Sequence, residues 1–169
     1  MAKKSRKAKS VNKFLMLIGA ALAVVAVVMI FLPQVTDGNT TYNGWEIAFG
    51  GKEVGDIFKY TINFSFLNLL AYLLVIIGLA IIVLRFFGIT KSKLALLVAA
   101  IALIAGGILS FFAPQFSTAT LSVGNGSFGI SSTTSLADLD YKLAYGAITG
   151  GVTAILAGLA ALGNFAMSK

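Results

Sequence analysis

Four stretches of the chain are almost wholly apolar: roughly 14–32, 64–84, 94–113 and 143–163. None contains Asp, Glu, Lys or Arg, and Arg85 and Lys142 stand just outside their rims. Each is about 20 residues long. At about 1.5 Å per residue a helix of that length crosses a hydrocarbon core of about 30 Å. The pattern predicts four transmembrane helices. Two outer loops, 34–63 and 115–142, alternate with one short connection.

Two of the runs close on the same words. Residues 31–36 read FLPQVT and residues 112–117 read FAPQFS, an offset of 81. At that offset Leu15 meets Leu96, Ala21 meets Ala102, Leu22 meets Leu103 and Tyr60 meets Tyr141. The order implies a helix–loop–helix hairpin present twice in the same orientation, an arrangement transporters also use. Proline marks a helix boundary because it disfavours helical geometry in the residue before it. The Gln that follows is expected at headgroup level, where water meets the last helical carbonyls.

The loops carry a different period. In TLSVGNGSFGIS, Leu121 and Val123 alternate with polar residues, then Phe128 and Ile130 do so beyond Gly124-Asn125-Gly126. Alternation around Asn-Gly is a hairpin signal. TYNGWEIAFGG repeats the idea, with Tyr42, Asn43-Gly44, then Trp45, Ile47 and Phe49. Gly50-Gly51 and Gly55 are expected to break that strand, and Phe58, Tyr60 and Ile62 to lead back to the membrane. Strands from both loops are expected to pair in one small antiparallel sheet. Trp45, Ile47, Phe49 and Phe128 then either pack on the sheet and helix ends or form a patch for a partner.

Charge orients the whole. Ten of the thirteen basic residues lie in segment 1–13, at Arg85, Lys91 and Lys93, or at Lys169, and all six acids lie in the two outer loops. The positive-inside rule puts both termini and the 85–93 turn in the cytoplasm. The basic segment 1–13 reads as a cytoplasmic tail that touches anionic lipid headgroups, at about 1 kcal/mol per basic residue near the surface. It has no aromatic interleaving, so no nucleic-acid partner is expected. A signal peptide is not expected, since the first apolar run exceeds the 7–15 residues of a signal core.

Composition narrows the chemistry. The chain is 58% hydrophobic and 11% charged, against about a quarter charged for a soluble domain. It has neither Cys nor His. That excludes disulfides, thiol catalysis, zinc sites with soft ligands and His- or Cys-held haem. Cysteine-free outer loops suit a bacterial plasma membrane. The Asn-x-Ser/Thr triplets at Asn39, Asn63 and Asn125 read as chance. Asp138 and Asp140, two apart in an extended segment, would point to opposite faces. They also under-supply the 6–8 oxygens of a Ca²⁺ site. No phosphate loop, nucleophile elbow or paired acid–base motif occurs, so no enzyme, cofactor or metal is expected.

The spans hold few polar residues: Asn68, Tyr72, Thr149, Thr153 and Asn164. Neutral groups like these are expected to hydrogen-bond across helices. Gly146, Gly150, Ala154 and Gly158 recur every four residues and form a small-residue stripe, suited to helix packing inside the bundle or between protomers. Ala95 with Ala99, and Ala102, Gly106 and Ser110, make shorter stripes.

The layout resembles the claudin-like tetraspan families on two grounds: Gly44-Trp45 in the first outer loop, and four spans with a longer first loop. Those families carry a Leu between the Gly and the Trp and two loop cysteines, all missing here. The resemblance implies a fold, an all-α membrane bundle with a small extracellular antiparallel sheet, and no pore or adhesion role for any residue. The expected architecture is a left-handed four-helix bundle built from two parallel helical-hairpin repeats. The expected function is a non-enzymatic membrane scaffold or accessory subunit, acting through lateral helix contacts and its outer sheet. Its partner would be another membrane protein or a second copy. The alternative is an oligomeric channel or small-solute transporter.

Overall fold

The computed structural model describes the backbone of residues 2–51, 53–54, 58–90, 92–123 and 130–167. Four long helices dominate: α1 (Ala2–Met29), α3 (Phe66–Phe86), α4 (Lys93–Ser110) and α6 (Tyr145–Met167). All four are long and apolar enough to cross a membrane. They form a ring in chain order, with α1 beside α3, α3 beside α4, α4 beside α6 and α6 beside α1. The basic segment expected as a tail continues α1 as helix from Ala2. Its Lys, Ala and Arg are good helix formers and no Gly or Pro interrupts them.

The repeated proline acts on the same place twice. α1 stops at Met29 and α4 at Ser110, each four residues before its proline. That is where a proline ring collides with the helical carbonyl. Beyond it the two copies differ. Pro33 opens strand β1 (Pro33–Thr36), whereas Pro114 lies in a single helical turn, α5 (Ala113–Phe116). Gln115 is exposed, but Gln34 is buried and needs no water. Its side-chain amide donates to the carbonyls of Met29, the last residue of α1, and of Leu32.

One end of the bundle carries two antiparallel sheets where one was expected. The first runs β2 (Thr41–Asn43), β1, β7 (Lys142–Leu143); the second β3 (Glu53–Val54), β4 (Phe58–Ile62), β5 (Thr118–Val123), β6 (Ile130–Ser135). Both join the two loops, through β1–β7 and β4–β5. β5 and β6 are the expected hairpin. Their register pairs Val123 with Ile130, which leaves six residues between them, more than a two-residue Asn-Gly turn; the turn itself and Phe128 lie outside the described residues, as does Gly55. The second loop also holds a 3₁₀ turn at Ala137–Leu139, not an extended segment. Ser135 starts it by exchanging hydrogen bonds with Asp138, and Asp140 ends it in a left-handed conformation.

The largest local departure is at Asn43-Gly44. These residues begin a helix, α2 (Gly44–Phe49), and do not turn a hairpin. Asn43 accepts from the Glu46 amide, and the Glu46 carboxylate accepts from the Asn43 amide, each at 2.9 Å. This is a capping box, which satisfies two orphan donors reciprocally. Gly50 and Gly51 follow with φ of 70° and 85°, and end the helix. A side chain on Gly44 would meet the Ile30 carbonyl at 2.5 Å, so α2 lies directly on the end of α1.

Inside the bundle the contacts are made by small residues. Ala23, Ala26, Ala99, Ala100, Ala154, Ala157 and Ala161 are buried with Val75, Ile82 and Leu103. Outside are Val24, Leu73, Ile77, Val98, Ile101, Ile148 and Leu156. A helix bundle in water would be polar there. Exposed aromatics gather at the ends. Phe31, Trp45, Phe66, Phe112 and Tyr145 lie at the sheet end, Phe14, Phe86 and Phe87 at the other. From Phe66 to Phe86, α3 spans about 30 Å.

α4 crosses α6 closely: a Cβ on Gly107 would stand 2.8 Å from the Gly151 carbonyl. Gly107→Ala should therefore destabilise by about 1–3 kcal/mol through overpacking. Gly163 meets only the flexible tip of Leu15, and Gly163→Ala should be neutral or gain up to about 1 kcal/mol from helix propensity. Thermal melting of both variants in detergent checks the pair; equal effects would refute the tight α4–α6 crossing.

Candidate functional site: a tyrosine–aspartate cleft in the cap

The expected small-residue stripe sits inside the chain. Gly146 abuts the Pro33 carbonyl and Gln34, and Gly150 faces Met29 of α1. Ala154 is fully buried, and a Cβ on Gly107 would stand 3.2 Å from its methyl. Gly158 lies against Ala100 and Ile104 of α4. A four-residue step overshoots one helical turn by about 40°, so the stripe winds from α1 to α4. Gly106, from one of the shorter stripes, and Gly78, Gly107 and Gly151, which the four-residue patterns pass over, make equally close approaches to Ala71, Leu103 and each other.

The expected apolar patch divides as well. On a helix Trp45 and Phe49 are one turn apart and share a face, with rings 4.3 Å apart and both exposed. Ile47 points the other way and is buried in the core beneath the sheets. Of the polar residues in the spans, Asn164 donates across helices to the Asn12 carbonyl of α1 at 2.7 Å, whereas Asn68 donates at 2.8 Å to Ser117, just beyond α5. Thr153 donates instead to carbonyls of its own helix. Asn63 is tied across strands to Thr118 and Thr120.

The concave feature of the cap lies between the two sheets. It is a cleft of about 240 Å³. Tyr42 and Tyr141 form one wall with rings 5.6 Å apart, Tyr60 another, and Ile62, Ala119 and Leu136 the floor. Asp37 stands at its mouth. The β1–β2 turn positions it: Gly38 takes φ 95°, and one carboxylate oxygen accepts from the Asn39 and Thr40 amides at 2.9 and 2.6 Å. The Tyr141 hydroxyl lies close enough to this carboxylate and to Tyr42 for each to act on its titration. An adjoining shelf brings Asp37, Asp140 and Lys142 together.

The backbone amides of Thr40 and Asn39, then Tyr141, hold the Asp37 carboxyl below its ordinary range. Burial first, then Tyr42 and the Asp37 charge, push the Tyr141 phenol well above its ordinary 10. A fixed carboxylate beside three aromatic rings is a site for a cation, by ion pairing and by attraction to the ring faces. The cleft contains no nucleophile–base pair. Among the described residues no group of three acidic side chains could hold a metal. No protein-family model, curated protein or solved structure matches the chain, so its function is read from this geometry.

The two shifts fix a pH dependence. Tyr141 has a raised folded pKa, so its contribution is whole below about pH 10 and is lost as pH rises through the folded value. Asp37 has a lowered one, so its contribution is present above about 3.8 and lost as pH falls through the folded value. Melting temperature against pH should show both limbs. Tyr141→Phe should flatten the alkaline limb and Asp37→Asn the acid limb. An alkaline limb unchanged in Tyr141→Phe would refute the assignment.

Proposed function

We propose that the protein is a non-enzymatic, multi-pass accessory or scaffold subunit of a bacterial plasma membrane, and that its outer cap is the recognition surface. The four apolar helices and the two aromatic rims about 30 Å apart support a bilayer placement. Charge supports an orientation with both termini and the 85–93 turn in the cytoplasm and the sheets outside. A left-handed crossing of the helices and the claudin-like layout belong to the same proposal.

The observation that carries the reading is the tyrosine–aspartate cleft, built from segments of both loops. Its chemistry suits a Lys or Arg side chain of a partner. Lateral association has less behind it, because Gly146, Gly150, Ala154 and Gly158 are used within the chain. The transport alternative keeps only the parallel repeat. The bundle axis is filled by Val75, Ala99, Leu103 and Ala154, with no polar path among them.

The test is purification of the tagged chain from its own membrane in native nanodiscs, read by native mass spectrometry. A stoichiometric second protein is expected. Asp37→Asn keeps the turn acceptor and removes the charge, and should weaken that association about tenfold, the worth of one close charge pair. A lone protomer, or an association indifferent to Asp37→Asn, would sink the cap reading.

A further inference from the structure

Among the described residues the four-stranded sheet has one long free edge. In the order β3-β4-β5-β6 the outer strands are β3, of two residues, and β6, of six. The outer strands of the other sheet, β2 and β7, have three and two. A long edge presents a row of unpaired backbone groups, and folded proteins commonly blunt it with a charge, a proline or a bulge. β6 has none of these. It reads ISSTTS and pairs with β5 in unbroken register.

The parity of the hydrogen bonds says which groups are free. Opposed residues of an antiparallel pair alternate between those that exchange hydrogen bonds and those that do not. The Leu136 amide donates to the Ser117 carbonyl at 2.8 Å, which makes Ser117 and Leu136 a bonded pair. Counted back along the register, Thr134 and Ser132 bond to β5, and Ser131, Thr133 and Ser135 turn their N–H and C=O groups outward. The Asn63 amide on the Thr118 carbonyl agrees, because it gives Thr118 and its alternates to β4 and leaves the others for β6. Of the three outward residues, Ser131 and Thr133 are exposed, and Ser135, whose hydroxyl is bonded into the following turn, is half-buried. Only another extended backbone offers donors and acceptors at the spacing of Ser131 and Thr133.

The strand suits a second copy of itself. It carries no charge, so like strands meet without repulsion. Antiparallel pairing of Ser131 with Thr133 of the second copy is reciprocal, as a twofold contact requires. The axis passes between the two Ser132 residues, normal to the sheet, and keeps the same face of both sheets on one side. On that face Ile62 and Ala119 are buried in one cluster with Ile30, Ala71, Tyr72 and Ala113 of the helix ends. Both bundles therefore lie on one side of the joined sheet, as a shared bilayer demands. The contact closes at two copies, because it uses the one long edge of each. Copies held in one bilayer also have less rotational freedom to lose on pairing.

We propose that β6 pairs with β6 of a second copy, antiparallel about Ser132, and joins the two four-stranded sheets into one. The proposal goes beyond the recognition role of the cap and does not involve the tyrosine–aspartate cleft.

The chain has no cysteine, so single cysteines test the register. The two Ser132 residues would oppose each other without ladder hydrogen bonds, with Cβ atoms about 5 Å apart, close to disulfide geometry. The two Thr134 residues would be offset along the strands by about 13 Å. Full-length Ser132→Cys and Thr134→Cys chains are oxidised with copper phenanthroline in native membranes. Ser132→Cys should give a disulfide-linked dimer and Thr134→Cys should not. Thr133→Pro, added to Ser132→Cys, removes an outward N–H from each copy and no ladder bond within the chain. It should slow cross-linking about thirtyfold, the worth of two hydrogen bonds. The cysteine pair decides the outcome alone if the proline variant fails to fold. A Ser132→Cys chain that stays monomeric, or dimerises no faster than Thr134→Cys, would overturn the proposal. So would cross-linking of Ser132→Cys to a different protein, or a rate indifferent to Thr133→Pro in the folded chain.

Discussion

A chain that turns within an apolar slab must satisfy its own backbone, because no water is there to do it. This constraint shapes several junctions between the apolar helices and the segments that join them. Three buried side-chain amides meet it. Gln34 bonds the Met29 carbonyl, to which Pro33 can offer no helical N–H. Asn68, with Ser65, ties the start of α3 to the α5 turn through Ser117, Ala113 and Phe116. Asn164 reaches the Asn12 carbonyl at the far end. Arg85 does the same for the α3–α4 turn, donating to the carbonyls of Thr90 and Ser92. The sheets can start immediately beyond the helices because these groups leave little backbone unpaired at the junction.

Packing follows from the same solvent. Where the surroundings are as apolar as a leucine side chain, burying leucine gains little, and close backbone approach decides which residues face inward. The molecule is accordingly inverted, with alanine and glycine inside and the bulky aliphatics outside. Gly107 on Gly151 and Gly106 on Ala71 set how near α4 comes to its two neighbours. The cap obeys the opposite rule. Val35, Tyr42, Ile47, Ile62 and Leu136 are buried in it, as in a domain that meets water.

The two halves of the molecule were therefore legible to different degrees. Span positions follow from apolar run length, and their ends from Pro33 and Pro114, to within a few residues. The pairing of strands from both loops follows from period-two alternation. What failed was the choice between two meanings of Asn-Gly. At Asn43 the discriminating signal stood three residues on, because Glu46 completes a capping box and a helix was readable there. Read as a helix, Trp45 and Phe49 fall on one face and Ile47 on the other, as the structure has them. The cleft was not legible. Asp37, Tyr42, Tyr60 and Tyr141 come from segments far apart in the chain, and only the pairing of β1 with β7 and β4 with β5 gathers them. The small-residue stripe was visible, but a four-residue period cannot say whether its partner is in the same chain.

The correction at Asn43 matters beyond its own turn. Tyr42 walls the cleft, Asn43 caps α2, and Gly44 and Trp45 line an apolar crevice beside α3, in four consecutive residues. Cap and bundle thus share one short wall. A six-residue helix has little stability of its own. α2 is held by its capping box, by the Gly44 amide on the Ile30 carbonyl at 2.7 Å, and by the Ala48 carbonyl receiving the Ser65 amide at 3.0 Å. Each of these contacts belongs to the junction, so α2 is only as ordered as the junction beneath it. Through Asn43, a wall residue of the cleft and the first turn of α2 are one continuous stretch of chain.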